Sequence, residues 1–244
     1  MNDTTGPGAV FQQGQLLLID KPYEWTSFDA VNKIRSMIRY LLGVKKIKIG
    51  HAGTLDPLAT GLLIVCTGKF TRQIEQYQGL DKTYTGTFTL GQTTPSFDLE
   101  TPPDKTWQTA HIDRQLLEKT AGSFLGTHDQ MPPMYSAKKV EGKRAYAFAR
   151  RGETTRLRTT QIHISEFEIT WVRMPEAGFR VVCSKGTYIR ALARDFGHSL
   201  SSGATLTALR RTHIGSFCVE QALQIGELEH HLRQVAEGGA DRGE

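Results

Sequence analysis

The chain reads as a mixture of strands and helices built around one substantial core, and three features of its sequence predict that. Short apolar runs, some alternating with polar residues and some continuous, recur from Leu16 to Val219 in the manner of strands. Between several of them, apolar residues fall three and four apart behind helix-capping side chains. A length of 244 residues is enough to bury a core as one large domain, or as a core carrying an insertion.

The elements follow in order. Leu16 to Asp20 is a strand. Thr26 then opens a helix, with Asp29 completing a capping box and Val31, Ile34, Ile38 and Leu41 on its apolar face. Lys46-Ile47-Lys48-Ile49 alternates as a half-buried strand does, and Leu62-Leu63-Ile64-Val65-Cys66 is a continuous run of the buried kind. Phe70, Ile74 and Tyr77 mark a second helix ending at Gly79, where a left-handed cap is easily taken. Tyr84 to Leu90 is a strand with its aromatic and apolar residues on one face. Gln92 to Thr106, rich in Thr, Pro and Asp, is a loop, and a helix follows around Asp113 to Thr120. From Gly126 to Arg158 the chain has the look of an insertion, with Pro132-Pro133, Gly142 and Gly152. Ile162 and Ile164, then Phe167, Ile169 and Trp171, are two alternating sets offset by one residue, as in a bulged strand or two abutting strands. Phe179 to Cys183 is another strand. Gly186 turns the chain, and Thr187 caps a helix whose face is Ile189, Leu192, Ala193, Phe196 and Leu200. A last strand lies near Ser216 to Val219. The tail from Glu220 to Glu244 carries six acids against two arginines, and its end, Gly238 to Glu244, is expected to be disordered.

The string Gly50-His51-Ala52-Gly53-Thr54-Leu55-Asp56-Pro57-Leu58-Ala59-Thr60-Gly61-Leu62-Leu63 sets one carboxylate on a glycine-bounded loop between two of these strands. Pro57 fixes its own φ and biases Asp56 toward extended backbone, while Gly53 and Gly61 permit sharp turns or close approach of a ligand. A side chain so held can be aimed at a substrate. A lone Asp-Pro, by contrast, is usually a turn residue that bonds its own backbone.

Net charge is +5, and it is unevenly spread. Lys138 to Arg158 holds eight basic residues against Glu141 and Glu153, so the remainder of the chain is close to neutral. With Tyr135, Tyr146 and Phe148 interleaved, the segment fits a phosphate backbone, although a solvated surface has the same composition. Cys66, Cys183 and Cys218 are odd in number and far apart, and paired Cys-x-x-Cys or His-x-x-x-His spacings are missing. A reducing compartment and no structural metal are expected. The first residues lack the basic-then-apolar pattern of a signal peptide, and no apolar run approaches a membrane span, so the expectation is a soluble, cytoplasmic protein.

The Gly50 to Leu63 string closely resembles the signature of the TruB family of pseudouridine synthases, which isomerise a uridine of the tRNA T-loop, uridine 55. Four more motifs follow in the family's order: Asp81-Lys82-Thr83-Tyr84, Gln130-Met131-Pro132-Pro133-Met134-Tyr135-Ser136-Ala137-Lys138-Lys139, Cys183-Ser184-Lys185-Gly186-Thr187-Tyr188-Ile189-Arg190, and Leu209-Arg210-Arg211-Thr212. The resemblance covers residues 14–221, the catalytic domain. It implies the pseudouridine-synthase fold, α+β, with a central, largely antiparallel mixed sheet, flanking helices and a catalytic cleft. It also implies that Asp56 is the nucleophile. Tyr84 then stacks on the target base and is a candidate for the proton transfer at C5, and Arg190 pairs with Asp56 to orient it and keep it charged. His51 matches the residue that fills the space left by the flipped base, and Tyr188 supports the site. Lys82, Leu209 and Arg210 match positions that shape or flank the pocket. Residues 126–158 correspond to an RNA-gripping thumb, in which Lys143 and Arg144 are the expected phosphate contacts. One departure stands out: where relatives carry T-D-T-x-D, this chain has Thr94-Pro95-Ser96-Phe97-Asp98, so any substrate contact by the acid usual at Pro95 is in question. The chain also ends before the PUA domain of most stand-alone relatives, which leaves residues 222–244 as an acidic, partly disordered tail.

Isomerising uridine to its C-glycoside oxidises nothing and donates no group, which agrees with the lack of a nucleotide-binding or metal motif. No cofactor is expected. The partner implied is the T-arm stem-loop of tRNA, bound by a monomer. A nucleoside or glycoside hydrolase would need a second carboxylate across the scissile bond, and none stands out. An RNA-binding or folding factor would explain the basic segment but not the intact loop, while dyskerin-type relatives act with a guide RNA and further subunits.

Overall fold

The computed structural model describes residues 6–135, 139–140, 143–144 and 158–240, the side chains of 139–140, 143–144 and 238–240 excepted. The first elements are α1 (Ala9–Gln13), β1 (Leu16–Lys21), α2 (Ser27–Leu41), β2 (Ile49–His51), β3 (Thr60–Thr67), a 3-10 segment (Gly68–Gln73) and α3 (Ile74–Gly79). Next come β4 (Lys82–Leu90), β5 (Gln92–Thr93), β6 (Lys105–Thr106), α4 (Arg114–Ser123), β7 (Gly126–Gln130), β8 (Lys139–Val140) and β9 (Lys143–Arg144). The last are β10 (Thr160–Arg173), β11 (Glu176–Cys183), α5 (Ile189–Ser199), β12 (Ala204–Ile214), β13 (Phe217–Cys218) and α6 (Ile225–Ala240). They belong to two compact units, one drawn from residues up to Leu80 and from Arg210 onward, the other from Asp81 to Leu209.

In the first unit, β3 is the central strand. β1 runs antiparallel to it from Leu16↔Cys66 to Lys21↔Gly61, β2 pairs with its far end, and the Arg210–Arg211 stretch of β12 runs parallel to it at Thr60 and Gly61. Leu63 and Val65 pack with Ile19 against Val31, Ile34 and Ile38 of α2 and Leu228 and Leu232 of α6. Leu62, Ile64 and Cys66 pack instead with Ile214 and Val219. Burial on both faces is why β3 reads as a continuous apolar run rather than an alternating one. The capping box of α2 forms as its sequence requires: Thr26 Oγ1 accepts from Asp29 N and Thr26 N donates to Asp29 Oδ2, each at 3.0 Å.

In the second unit β4, β11, β10 and β7 pair antiparallel in that order, so the first of the four in sequence lies beside the last. Its core is aromatic. Phe88 of β4 stacks on Phe179 of β11 at 4.1 Å, Phe167 of β10 meets both edge-on, and Phe196 of α5 lies 5.4 Å from Phe88. The offset between Ile164 and Phe167 is a bulge within the single strand β10, and a second shift between Ile169 and Trp171 leaves Trp171 partly exposed. Asp113 caps α4 by accepting from Leu116 N at 2.8 Å. Helices beside these sheets make the fold α+β, and among the described residues no helix is long and apolar enough to cross a membrane.

Several expectations shift. The strand expected at Lys46–Ile49 begins only at Ile49, just after Lys48 O accepts from Gly68 N at 2.8 Å. Gly79 is the last residue of α3 and is not in the left-handed region; the helix ends on an extended Leu80. Gly126–Gln130, read as the start of an insertion, is the strand β7 paired with β10. Tyr188, not Thr187, is the N-cap of α5, and the Thr187 hydroxyl donates to Ser184 O instead. Ile225–Ala240, read as an acidic tail, is the helix α6, held by Leu228 and Leu232 in the core. Of Gly238 to Glu244, expected to be disordered, Gly238 to Ala240 are the last residues of this helix, and 241–244 lie outside the described residues. Leu209-Arg210-Arg211, a family motif with no element assigned to it, lies in β12, an eleven-residue strand.

Candidate active site

In the first unit the Asp56 loop is fixed from below by groups that the sequence hides among ordinary positions. Gly53 and Gly61 take φ values of +101° and +106°, and a Cβ on Gly61 would lie 2.3 Å from the Arg211 carbonyl oxygen. Only glycine allows β12 that close. The Arg211 side chain is 1 % exposed; its Nε donates to Leu62 O at 2.8 Å and its Nη2 to Gly53 O at 3.1 Å, so one guanidinium ties both ends of the motif. Lys21 is fully buried and its Nζ donates to the carbonyls of Pro22 (2.8 Å), Trp25 (2.6 Å) and Pro57 (3.3 Å). Ser27 both accepts from Leu55 N (2.8 Å) and donates to Leu55 O (3.2 Å). Between these anchors, Ala59 N donates to Asp56 O at 3.1 Å, which closes a turn with Asp56 half-buried at its start.

Charge follows the same geometry. Burial pushes the Lys21 ammonium down from 10.5 to about 8; the carboxylate of Asp56 pulls the other way, Arg211 adds to the depression, and Asp29 and Asp20 oppose it. His51, half-buried at the end of β2, is held below its ordinary value chiefly by burial, with a backbone hydrogen bond at Gly53 acting against that and Arg211 with it. Its ring is therefore neutral at neutral pH, and its buried Nδ1 has no hydrogen-bond partner among the described residues. Arg210 forms a two-point pair with Asp20, at 2.6 and 3.1 Å, and reaches Thr60 Oγ1 at 3.3 Å.

In the second unit, Tyr84 and Lys82 are buried on β4, opposite Val181 and Cys183 of β11. The start of α5 is clamped by Gln130, whose Oε1 accepts from Tyr188 N (2.8 Å) and whose Nε2 donates to Tyr188 O (3.1 Å). Arg190, second residue of that helix, is 4 % exposed. Its Nη1 donates to Ser96 O at 3.2 Å, its Nη2 to Tyr135 O at 2.8 Å, and its Nε lies 3.5 Å from Asp98 Oδ2. Those acceptors offset the unfavourable helix-dipole placement of an arginine in a first turn. Asp98 is itself buried, and its Oδ1 accepts from Glu100 N at 3.0 Å.

Asp56, His51 and Arg210 thus belong to the first unit, and Tyr84, Lys82, Tyr188, Arg190 and Leu209 to the second. Of Lys143 and Arg144 only the backbone is described, where they pair with Val140 and Lys139; their side chains lie outside the described residues. Lys21, Asp98, Gln130 and Arg211 were not singled out from the sequence. Asp98, Gln130 and Arg211 stand inside family motifs and Lys21 at the end of an expected strand, but no spacing marks a charge or amide that the fold buries.

The profile described as TruB family pseudouridylate synthase (N terminal domain) matches residues 39–189. The chain is 54 % identical over 224 residues to tRNA pseudouridine synthase B of Flavobacterium johnsoniae, covering 91 % of this chain and 98 % of that one. It is 52 % identical over 236 residues to the protein of that name from Bacteroides thetaiotaomicron (95 % and 98 %), and 44 % identical to the one from Chloroherpeton thalassium (93 % and 94 %). Among solved structures, it is similar to a chain of an H/ACA RNP bound to a substrate RNA containing 2'-deoxyuridine, with a TM-score of 0.67 at 23 % identity over 98 % of this chain and 62 % of that one. A Cbf5-Nop10-Gar1 complex gives 0.67 at 24 % identity, over 95 % and 63 %. At such identities the likeness is one of fold, and this chain spans less than two thirds of those proteins.

Proposed function

The chain belongs to the TruB family of pseudouridylate synthases, and on that premise we propose that it isomerises a uridine of tRNA, uridine 55 of the T-loop, to pseudouridine with Asp56 as nucleophile. The bond from N1 to C1′ breaks, the base turns, C5 joins C1′, the C5 proton leaves and N1 takes one up. A carboxylate can begin this by attack on C1′, by addition to the base, or by removing a ribose proton to give a glycal; all three need Asp56 ionised and aimed. The observation that carries the reading is the Asp56 turn, a half-buried carboxylate whose flanks are bonded to buried Lys21, Ser27 and Arg211. Such a supporting shell holds a reactive group in place without touching the substrate.

Tyr84 is the ring for the target base and the candidate for proton transfer at C5, and Arg190 is the cation that the family pairs with its nucleophile. The fixed partners of Arg190 within its own unit support that part, because a guanidinium already oriented loses little freedom in binding a carboxylate. The uridine has to leave its stack, at a cost of a few kcal/mol, and the neutral ring of His51 suits the space it vacates. Tyr188, Lys82, Leu209 and Arg210 shape the pocket, while Lys143 and Arg144 grip the T-arm backbone. The protein acts as a monomer in the cytoplasm, without metal or guide RNA.

Asp56→Asn tests the assignment. The amide preserves size and polarity but is no anion, so the variant is expected to bind tRNA as the parent does and to form no pseudouridine in a purified assay. Turnover near the parent's rate would remove Asp56 from the chemistry.

A further inference from the structure

The loop between β5 and β6 contains a position at which a family motif is broken, Pro95, and a backbone conformation that needs a reason. Phe97 N donates to Thr94 O at 3.1 Å, which closes a turn with Pro95 in its second position, where a fixed φ is favoured. Phe97 itself has a φ of +65°. A side chain with a Cβ adopts that left-handed conformation only where its surroundings compel it, and such outliers gather where a structure holds functional groups.

The result is a partition of the loop's acceptors. The carbonyl of Phe97 turns to Leu206 N, at 2.9 Å, while the Ser96 carbonyl before it and the Asp98 carboxylate after it both face Arg190, at 3.2 Å from Nη1 and 3.5 Å from Nε. The Phe97 ring lies under a second arginine, with Arg194 Cζ 5.1 Å from its centroid. Arg194 follows Arg190 by one turn of α5, so the two occupy one face of the helix. It is anchored in turn, by Nη2 to Met131 O at 3.1 Å and by Nε to Asp195 at 2.7 Å.

We propose that Phe97 is a positioning residue that acts through Arg190: its left-handed backbone directs Ser96 and Asp98 at the guanidinium, and its ring, seated on Arg194, keeps the loop against α5. Pro95 presets the turn that leads into it. The proposal rests on the reading that Arg190 serves the isomerisation, and it adds a residue that makes no contact with the reacting atoms. The ring-to-guanidinium contact supplies the constraint that the backbone conformation requires.

The test uses the full chain and a T-arm stem-loop, with two readouts in each variant. Phe97→Tyr keeps the ring; Phe97→Gly accepts a positive φ but has no ring; Arg194→Gln removes the ring's seat without altering the loop, and so serves even where a loop variant does not fold. Single-turnover rates, measured well below each variant's melting temperature, are expected to fall at least tenfold for the Gly and Gln variants and to stay within about twofold for Tyr, with stem-loop affinity within about twofold throughout. Solvent exchange of the Arg190 Nε proton, followed by NMR and assigned with Arg190→Lys, should quicken in the same two variants and not in Tyr. Exchange and rate both unchanged in the Gly and Gln variants overturns the proposal. So does a loss of affinity with an intact chemical step. Faster exchange with an unchanged chemical step would instead uphold Phe97 as the residue that positions Arg190 and overturn the reading that Arg190 takes part in the reaction.

Discussion

Lys21 carries its charge into a place with no exposed surface, where its protons go to the carbonyls of Pro22, Trp25 and Pro57 rather than to a bonded carboxylate. Replacing it with Met keeps the apolar stem and strands those acceptors, which should cost about 3 kcal/mol of stability, read from denaturant midpoints. The effect should depend on pH in a particular direction. A lysine whose folded pKa is lowered from 10.5 to about 8 is protonated in both states below pH 8, so the full burden of burying the charge is present there. As pH rises from about 8 toward 10.5 the folded protein sheds this proton before the unfolded chain does, and stability gains. The gap between the parent and Lys21→Met should therefore widen from pH 7.5 to pH 9.5; a gap that narrows would mean that Asp56, Asp29 and Asp20 outweigh the burial. Asp56 was legible in the sequence because its whole setting is one contiguous string. Lys21, Arg211 and Asp98 were not, since what distinguishes a buried charge is the set of distant backbone groups that satisfy it.

At the level of elements, the sequence showed what local rules control. The capping box starts α2 where Thr26 and Asp29 require, and the one-residue slip in the pattern of β10 is a bulge. Of the elements that went unread, β12 and α6 escaped for different reasons. β12 mixes Thr, Arg and His into its pattern, because Arg211 is buried by hydrogen bonds rather than by apolar contact. α6 does have its stripe, Ile225, Leu228, Leu232 and Val235 at helical spacing, but acidic composition and paired glycines obscured it. The two kinds of glycine in the first unit separate experimentally. Gly61→Ala places a Cβ 2.3 Å from the Arg211 carbonyl at a φ of +106° and should destabilise by about 3 kcal/mol or more, because backbone cannot move aside as a side chain can. Gly79→Ala meets nothing within 4 Å and sits in helical geometry, so it should be neutral or stabilise by up to about 1 kcal/mol. Equal losses at both positions would contradict the close approach of β12 to β3.

For the molecule as a whole, the question is where a net charge of only +5 meets a polyanion. Eight cations against two acids between Lys138 and Arg158 leave the remainder near neutral, so affinity for RNA should depend on that segment. Each phosphate neutralised releases condensed counterion, and the logarithm of affinity falls with the logarithm of salt by about 0.9 per contact on duplex. Replacing Lys143 and Arg144 with Gln should flatten the slope by roughly one to two units on the T-arm stem-loop, and lower affinity on every sequence alike, since phosphate contacts position without specifying. A rival lies within the described residues, where Lys46, Lys48, Lys69 and Arg72 line one pocket of the first unit with no carboxylate among its walls. The matched control is Lys69→Gln with Arg72→Gln, measured from low to physiological salt. A slope that changes for Lys143 and Arg144 but not for the control assigns the grip to the basic segment. The reverse would move it to the first unit, and a stem-loop that is inert while whole tRNA reacts would show that contacts beyond the T-arm are needed.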